Sequence, residues 1–491
     1  MKRVRVRFAP SPTGYMHIGG LRTALYNYLF AKQHGGDYLL RIEDTDQTRF
    51  VEGAIENLLE ALDWSGLHHN EGVVCKDGEV TEVGDCGPYI QSKRLGSYHK
   101  AVDKLLEQGD AYHCFCTKER LDEVREEQRI KGNIPRYDGF CRGLTKEEAQ
   151  ARIDAGEKYV VRMKLPHNED IVFEDLIRGK ITINTADMDD QVLLKSDGFP
   201  TYHLAVVVDD ESMGISHIIR GEEWLPSTPK HICLYRMMGY PEPTYVHLPT
   251  VLNKDRKKLS KRQGDVAVED FRAKGYLPEG IINYLALIGW SPEDNRELFT
   301  LEELVEHFTL DRVSKTGGIF DLDKLNWVNQ QYIKVKPGEE LAELCAPYLL
   351  EAELMTAEEI SQRHDWLVLL LDTVKEGMQT LADVVDRSMA VFTHPIPEGE
   401  AMEMLQGEQV PLLLDTLITK VEEAEFNEEL VTGLLKSVQK ETGIKGKNLF
   451  MPTRIALTGQ LHGPDLTNLL RLLGNEEIIK RLKDTNKILG R

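Results

Sequence analysis

Val4, Val6 and Phe8 alternate with arginines at the start of the chain, the period-two pattern of a half-buried strand. A turn rich in Pro, Ser and Gly follows from Pro10 to Gly20. Leu21, Ala24, Leu25, Tyr28 and Leu29 then recur at helical spacing up to His34-Gly35-Gly36, a C-terminal stop. Tyr38 to Ile42 is a short apolar strand closed by Glu43-Asp44. Strand, crossover helix and parallel strand predict a right-handed βαβ unit, the start of a doubly wound α/β sheet of Rossmann type. Ligands of such sheets bind at the carboxyl ends of the strands.

Residues 56–110 carry helical periodicity, broken over 72–87 by a Gly-, Asp- and Val-rich stretch expected to be a hairpin or loop. From Cys114 to about Asp190 the pattern is irregular. A polar helix over 117–130 and short alternating segments such as Tyr159–Lys164 point to an inserted α+β module. Parallel-strand character returns at His203–Val208, ahead of Asp209-Asp210, and at Ile218-Ile219-Arg220, ahead of Gly221-Glu222-Glu223-Trp224. After about residue 325 only helical periodicity remains, rich in glutamate. The expected division is therefore 1–110 and 193–245 for the two halves of the sheet domain, 111–192 for the insertion, 246–325 for a connecting region and 326–491 for an all-α region.

Composition suits a soluble globular protein, with 41% apolar and 29% charged residues and no apolar run long enough to span a bilayer. Seven cysteines, few and odd in number, argue for a reducing compartment, and the basic N-terminus lacks the apolar core of a signal peptide. A cytoplasmic protein is expected. The net charge of −21 argues against a polyanionic partner, yet the charge is segregated. Residues 301–450 hold 13 basic and 29 acidic residues, whereas 254–262 hold six basic and one acidic, and 451–491 balance at +3.

Four constellations could carry chemistry. Arg7 to Gly20 joins the first strand to the first helix, where glycines let a ligand approach free N–H groups and His17 can donate to phosphate oxygens. Lys257-Lys258-Leu259-Ser260-Lys261-Arg262-Gln263-Gly264 is a dense basic loop suited to a triphosphate and its pyrophosphate leaving group. Either alone reads as an ordinary turn or a solvated charge run; together they require two coincidences. Cys114, Cys116 and Cys141 suit a structural zinc, with Tyr137 or His113 as the fourth ligand, whereas Cys75 and Cys86 read as unpaired thiols. Arg41-Ile42-Glu43-Asp44-Thr45-Asp46, Tyr202, Arg220 and Glu222-Glu223-Trp224 are expected at strand ends, where a buried arginine recognises a carboxylate and Glu43 an ammonium.

These strings resemble a known family. Arg7-Phe8-Ala9-Pro10-Ser11-Pro12-Thr13-Gly14 with His17-Ile18-Gly19-Gly20 is similar to the first signature of class I aminoacyl-tRNA synthetases, and Lys258-Leu259-Ser260-Lys261-Arg262 to the second. Arg41–Asp46, Ser196–Ala205, Arg220–Leu225 and Gly446–Pro452 narrow the resemblance to bacterial glutamyl-tRNA synthetases, over residues 3 to about 485. The resemblance implies Mg2+-ATP-dependent glutamyl-adenylate formation, transfer to tRNA(Glu), a requirement for tRNA before glutamate is activated, and a monomer. It makes 111–192 an acceptor-binding module, 246–325 a stem-contact region and 326–491 the anticodon-binding region. It assigns Arg7, Ala9, Ser11, Glu43, Tyr202 and Arg220 to L-glutamate, with Arg220 on the side-chain carboxylate. His17, Gly19, Gly20, Glu223, Trp224 and Lys261 go to ATP, and His17, Lys258 and Lys261 are the catalytic groups. Two departures stand out: Gly20 replaces a frequent histidine of the first signature, and Cys141-Arg142-Gly143 lacks the histidine of zinc-binding members.

Rival readings fare less well. An enzyme that glutamylates a tRNA base would lack the helical region, and a glutaminyl enzyme would carry a β-rich one. A small-molecule nucleotidyltransferase has no use for so many C-terminal helices. A catalytically dead paralogue sits badly with intact His17, Glu43, Arg220 and Lys261. The variant alternative is a non-discriminating enzyme that also charges tRNA(Gln) with glutamate.

Overall fold

The alternating N-terminal segment forms β1 (Arg5–Phe8), and the helical stretch after it forms α1 (Ile18–Gln33). His17 caps that helix, its Nδ1 accepting the Gly19 N–H at 2.9 Å, and the chain turns out of it at Gly35, where φ is +57°. β2 (Asp37–Leu40) lies parallel to β1 with Val6 opposite Tyr38, so the expected βαβ unit is present. All four β2 residues are buried, as in a parallel strand covered on both faces. These descriptions come from a computed structural model, which describes residues 3–259 and 266–491.

After α2 (Ala54–Trp64) the chain makes the hairpin β3 (Glu71–Lys76) and β4 (Glu79–Val83), within the interruption expected at 72–87. β3 pairs parallel with β2, and Gly72 permits that approach: its φ is +140°, and a Cβ there would lie 2.2 Å from the Leu40 carbonyl oxygen. α3 (Leu95–Gln108) then leads into the insertion. There β5 (Ala111–Cys114), the polar α4 (Lys118–Ile130), α5 (Lys146–Asp154) and β6 (Val160–Met163) precede the hairpin of β7 (Asp170–Asp175) and β8 (Gly179–Asn184), and β9 (Val192–Leu194) closes it. Thr145 and Glu148 form a capping box that starts α5. β5, β6 and β9 make one antiparallel sheet, while β7 and β8 belong to another.

The run expected as a strand at His203–Val208 is instead a helix, α6 (Tyr202–Ser212). Leu204 to Asp210 are all buried, so the run has no polar face to reveal a 3.6-residue period, and three consecutive valines mimic a strand. Tyr202 therefore opens a helix rather than following a strand end. β10 (His217–Gly221), α7 (Thr228–Met238) and β11 (Thr244–Leu248) complete the second sheet, in the order β10-β11-β7-β8. The Ser216 N–H donates to the Arg5 carbonyl at 2.9 Å and Arg5 N–H to Ser216 Oγ at 2.8 Å, which sets β1 beside β10. The chain leaves β1 through α1 to β2 on one side and β10 through α7 to β11 on the other. The strand order reverses between them, and an open α/β sheet has its ligand crevice at such a point.

The chain divides into two compact units, residues 1–271 with 281–322 and residues 272–280 with 323–491. Beyond residue 322 the regular structure of the described residues is entirely helical, around a core that includes Leu367, Leu371, Leu413, Leu417 and Leu470.

Candidate active site

The carboxyl ends of β1 and β10 open into one cavity of about 790 Å³. Arg7, Ala9, Ser11, Glu43, Tyr202 and Arg220 all line it, with Gly20, Glu223 and Trp224. A neighbouring cavity of about 440 Å³ shares Gly20 and Glu223 and adds His17, Gly19 and Lys258. The residues singled out from the sequence thus converge, apart from Lys261, which lies outside the described residues.

Charge is managed unevenly on the cavity floor. Asp210 Oδ1 accepts from Arg7 Nε at 2.9 Å and from Arg41 Nη1 at 2.7 Å, and Arg41 Nη2 donates to Glu43 Oε1 at 2.9 Å. Asp209, one residue back, takes Arg94 Nε at 2.6 Å, Gln91 Nε2 at 2.9 Å and the Tyr98 hydroxyl at 2.9 Å. Burial works against the Asp210 charge, but the two arginines outweigh it and hold the carboxyl below its usual range. Burial pushes the Glu43 carboxyl up against the pull of Arg41, so an arriving cation would favour its ionised form.

Arg220 is different. Its Nε donates to His247 Nε2 at 3.1 Å, Nη1 to the Tyr202 hydroxyl at 3.1 Å and to His231 Nδ1 at 3.3 Å, and Nη2 to Thr228 Oγ1 at 2.9 Å. All four acceptors are uncharged, and of the five N–H groups one, on Nη2, has no acceptor among the described residues. Trp224 packs on Tyr202 with ring centroids 4.1 Å apart and forms one wall of the cavity.

At the head of α1, the His17 ring nitrogen that caps the helix is an acceptor, which puts the proton of a neutral ring on Nε2. The loop pairs with the segment after residue 265: Ile18 N–H donates to Val266 O and Val268 N–H to Met16 O, each at 2.9 Å. On the other side of 260–265, Lys258 Nζ lies 3.9 Å from Glu223 Oε1. The chain is thus tied to the first signature after 260–265 and to the end of β10 before it.

Away from the cavity, Cys114, Cys116 and Cys141 bring their sulfurs within 4.8 Å of one another, with Cys116 and Cys141 3.7 Å apart. The Tyr137 oxygen stands beside them, 3.4 Å from Cys114 Sγ and 3.9 Å from Cys116 Sγ. His113 is turned away: it packs edge-on against Tyr159 at 4.8 Å, on the other side of β5 from Cys114. Three thiols and a phenol make a donor set that fits zinc, and Phe115 N–H donates to Cys141 Sγ at 3.4 Å. Cys75 is exposed and Cys86 sits beside Arg5, neither in this cluster.

Residues 3–327 match the family model for class I tRNA synthetases (E and Q), catalytic domain, and residues 340–486 match an anticodon binding domain. The chain belongs to the class I tRNA synthetases of the E and Q type. The glutamate–tRNA ligase of Alkaliphilus metalliredigens is 56% identical over 98% of this chain and 99% of its own length. That of Clostridioides difficile is also 56% identical, over 98% of each chain. A crystal structure of a glutamate tRNA ligase from Elizabethkingia meningosepticum in complex with its amino acid superposes with a TM-score of 0.90 at 35% identity, over 99% of this chain and all of that one.

Several groups that shape the synthetase cavity are invisible to motif reading. Thr228 and His231 on α7 and His247 on β11 hold Arg220, with Asp175 behind His247, and Arg94, Gln91 and Tyr98 hold Asp209 from two segments. Only buried charge next to a strand end would have pointed to them, and burial is not readable at single positions.

Proposed function

We propose that this synthetase ligates L-glutamate to tRNA(Glu) through a glutamyl-adenylate, releasing AMP and pyrophosphate. The observation that carries the reading is that Arg220 meets only uncharged acceptors among the described residues, whereas Asp210 already offsets much of the charge of Arg7 and Arg41 under the same cavity. A ligand with a side-chain carboxylate supplies the missing counter-charge. Glu43 faces the same cavity and takes the ammonium group, while Arg7, Ala9, Ser11 and Tyr202 line the rest of the amino-acid site. Relatives 56% identical to the chain are named glutamate–tRNA ligases.

ATP lies along Gly19, Gly20, Glu223 and Trp224, with Mg2+ arriving as part of that substrate. The glutamate α-carboxylate attacks the α-phosphorus, and the bond to the β-phosphate breaks. His17, through its Nε2 proton, with Lys258 and Lys261, stabilises the charge that develops on the transferring and leaving phosphates. The 2′-hydroxyl of the terminal adenosine then attacks the activated carbonyl and AMP leaves. Most of the acceleration is positioning and charge stabilisation. Zinc is held by Cys114, Cys116, Cys141 and Tyr137 and fastens the inserted module, a structural role. The five-segment division, with an acceptor-binding insertion, is part of this reading, as are a monomeric state and a cytoplasmic location. No observation favours charging of tRNA(Gln).

Glutamate-dependent ATP–pyrophosphate exchange tests the reading. Exchange should appear with glutamate and only when tRNA is present. Exchange that follows another amino acid, or ignores tRNA, overturns it.

A further inference from the structure

Behind Arg220 lies a polar chain that touches none of the cavity. Asp175 and His247 are both sealed from solvent, and Asp175 Oδ2 accepts from His247 twice, from the backbone N–H at 3.0 Å and from Nδ1 at 2.7 Å. Its other oxygen takes the N–H groups of Ile177 at 3.0 Å and Arg178 at 2.9 Å. An arginine can only donate, so the His247 nitrogen facing Arg220 must be an acceptor. That places the His247 proton on Nδ1, where Asp175 receives it.

The other side of the guanidinium obeys the same rule. His231 Nδ1 accepts from Arg220, so its proton sits on Nε2 and is donated to His203 Nδ1 at 3.0 Å. Lys230 and Asp189 are the charged pair next to His203, 3.1 Å from each other, and Arg178 on the β7–β8 turn pairs with Glu222 after β10. Burial pushes His247 and His231 down from the ordinary imidazole range and His203 down to about 4, so the three rings are neutral near pH 7.

We propose that Asp175 and His247 are positioning residues that set the preference for glutamate over glutamine: they hold Arg220 by its Nε through an imidazole of fixed tautomer while keeping the carboxylate one ring away. Had Asp175 touched Arg220 directly, it would neutralise the guanidinium as Asp210 neutralises Arg7. With the imidazole between them, Arg220 is oriented yet meets no carboxylate among the described residues. Glutamate then completes the charge pair, and glutamine, with a neutral amide, leaves a buried cation without a partner. The inference rests on the glutamate reading above, which charging of tRNA by the wild-type protein tests separately.

Asparagine and glutamine at position 247 divide the two functions of the ring. In His247→Asn the side-chain amide reaches Asp175, in the place of Nδ1, but falls short of Arg220. In His247→Gln it reaches the place of Nε2 and retains an acceptor for Arg220. Steady-state aminoacylation of each variant gives KM for glutamate and for ATP, with glutamine as a competing inhibitor. For His247→Asn we expect KM for glutamate to rise about tenfold or more, KM for ATP to stay within about twofold, and the inhibition constant of glutamine relative to the glutamate KM to fall about fivefold. For His247→Gln all three should stay within about threefold of wild type. A purely structural role predicts the reverse order, because the Asp175 bond is the buried anchor. Asn equal to or milder than Gln, or KM for ATP rising in step with that for glutamate, overturns the proposal.

Asp175→Asn gives a second line of test. An amide can donate to Nδ1 and favours the tautomer whose Nε2–H faces Arg220, so KM for glutamate should rise about tenfold. Combined with His247→Gln the same change should add less than about twofold. Equal costs in both backgrounds overturn the proposal.

Discussion

Arg41 Nη1 donates to Asp210 Oδ1 at 2.7 Å with neither side chain exposed to solvent at all. The same Asp210 oxygen also takes Arg7, so one carboxylate offsets much of the charge of two buried guanidiniums under the cavity. Asp210→Asn preserves shape and removes that charge, and it should destabilise the protein by about 3–5 kcal/mol. Urea unfolding measures it. The pH dependence has a definite sign. The folded Asp210 carboxyl titrates below its ordinary value of 3.8, so its contribution is complete above that pH and is lost as pH falls through the lower, folded value. The gap between wild type and variant should therefore be flat near neutrality and close only in strong acid. A gap that already narrows around pH 6 contradicts the pairing.

Much of this arrangement is legible before the fold is known, and the exceptions have a common cause. β1, α1 and β2 follow from period and punctuation because each keeps some polar residues on one face or at its ends. α6 fails because burial on every side erases its period, and the strand propensity of its valines then wins. Glu43 and Arg220 are legible as strand-end charges, but whether each is neutralised depends on residues from distant segments. For the thiol cluster the spacing gives three ligands, yet the choice between Tyr137 and His113 turns on which face of β5 each lies near.

Trp224 stands against Tyr202 and is 36% exposed, a flat apolar wall at the mouth where a base could stack. Trp224→Ala should raise KM for ATP about three- to tenfold with kcat nearly unchanged, and Trp224→Phe should recover most of the loss. Initial-rate aminoacylation at varied ATP reads both. An unchanged KM for ATP would remove Trp224 from the nucleotide site.

Tyr137 and His113 can be told apart by metal content. Purified protein should carry about one zinc per chain, and less than about one-tenth would sink the site. Under competition with a chelator, Tyr137→Phe should lose zinc faster than wild type, and His113→Ala should match wild type. Removing the metal should lower the thermal midpoint, because three thiols drawn together without it are only weakly bound to one another.

Arg481 is 1% exposed and closes two helices at once. Its Nη1 donates to Ala390 O at 2.7 Å and Leu457 O at 2.8 Å, and Nη2 to Val391 O at 2.8 Å. These carbonyls lie in the last turns of the helices Val384–Phe392 and Lys447–Thr458, where backbone acceptors lack partners and the helix dipole favours a cation. Glu477 Oε1, 2.8 Å from Nε, balances the charge. Arg481→Met should cost about 3 kcal/mol or more, and Arg481→Lys should restore less than half, since one ammonium cannot span both helix ends. Guanidinium unfolding followed by circular dichroism decides it, and ATP binding by the first unit should be unchanged in both variants.

The acidic balance of residues 301–450 bears on how tRNA is held. With 29 acidic residues there against 13 basic ones, the stretch as a whole repels phosphate, and tRNA should contact only a basic or neutral strip of it. Correct placement then depends on a small number of neutralised phosphates rather than on bulk attraction. The slope of log affinity for tRNA against log salt should accordingly be shallow, on the order of −3, as for a few contacts. Filter binding across a salt series measures it. A slope near −10 would mean many phosphate contacts and would show that the acidic surface does not restrict docking.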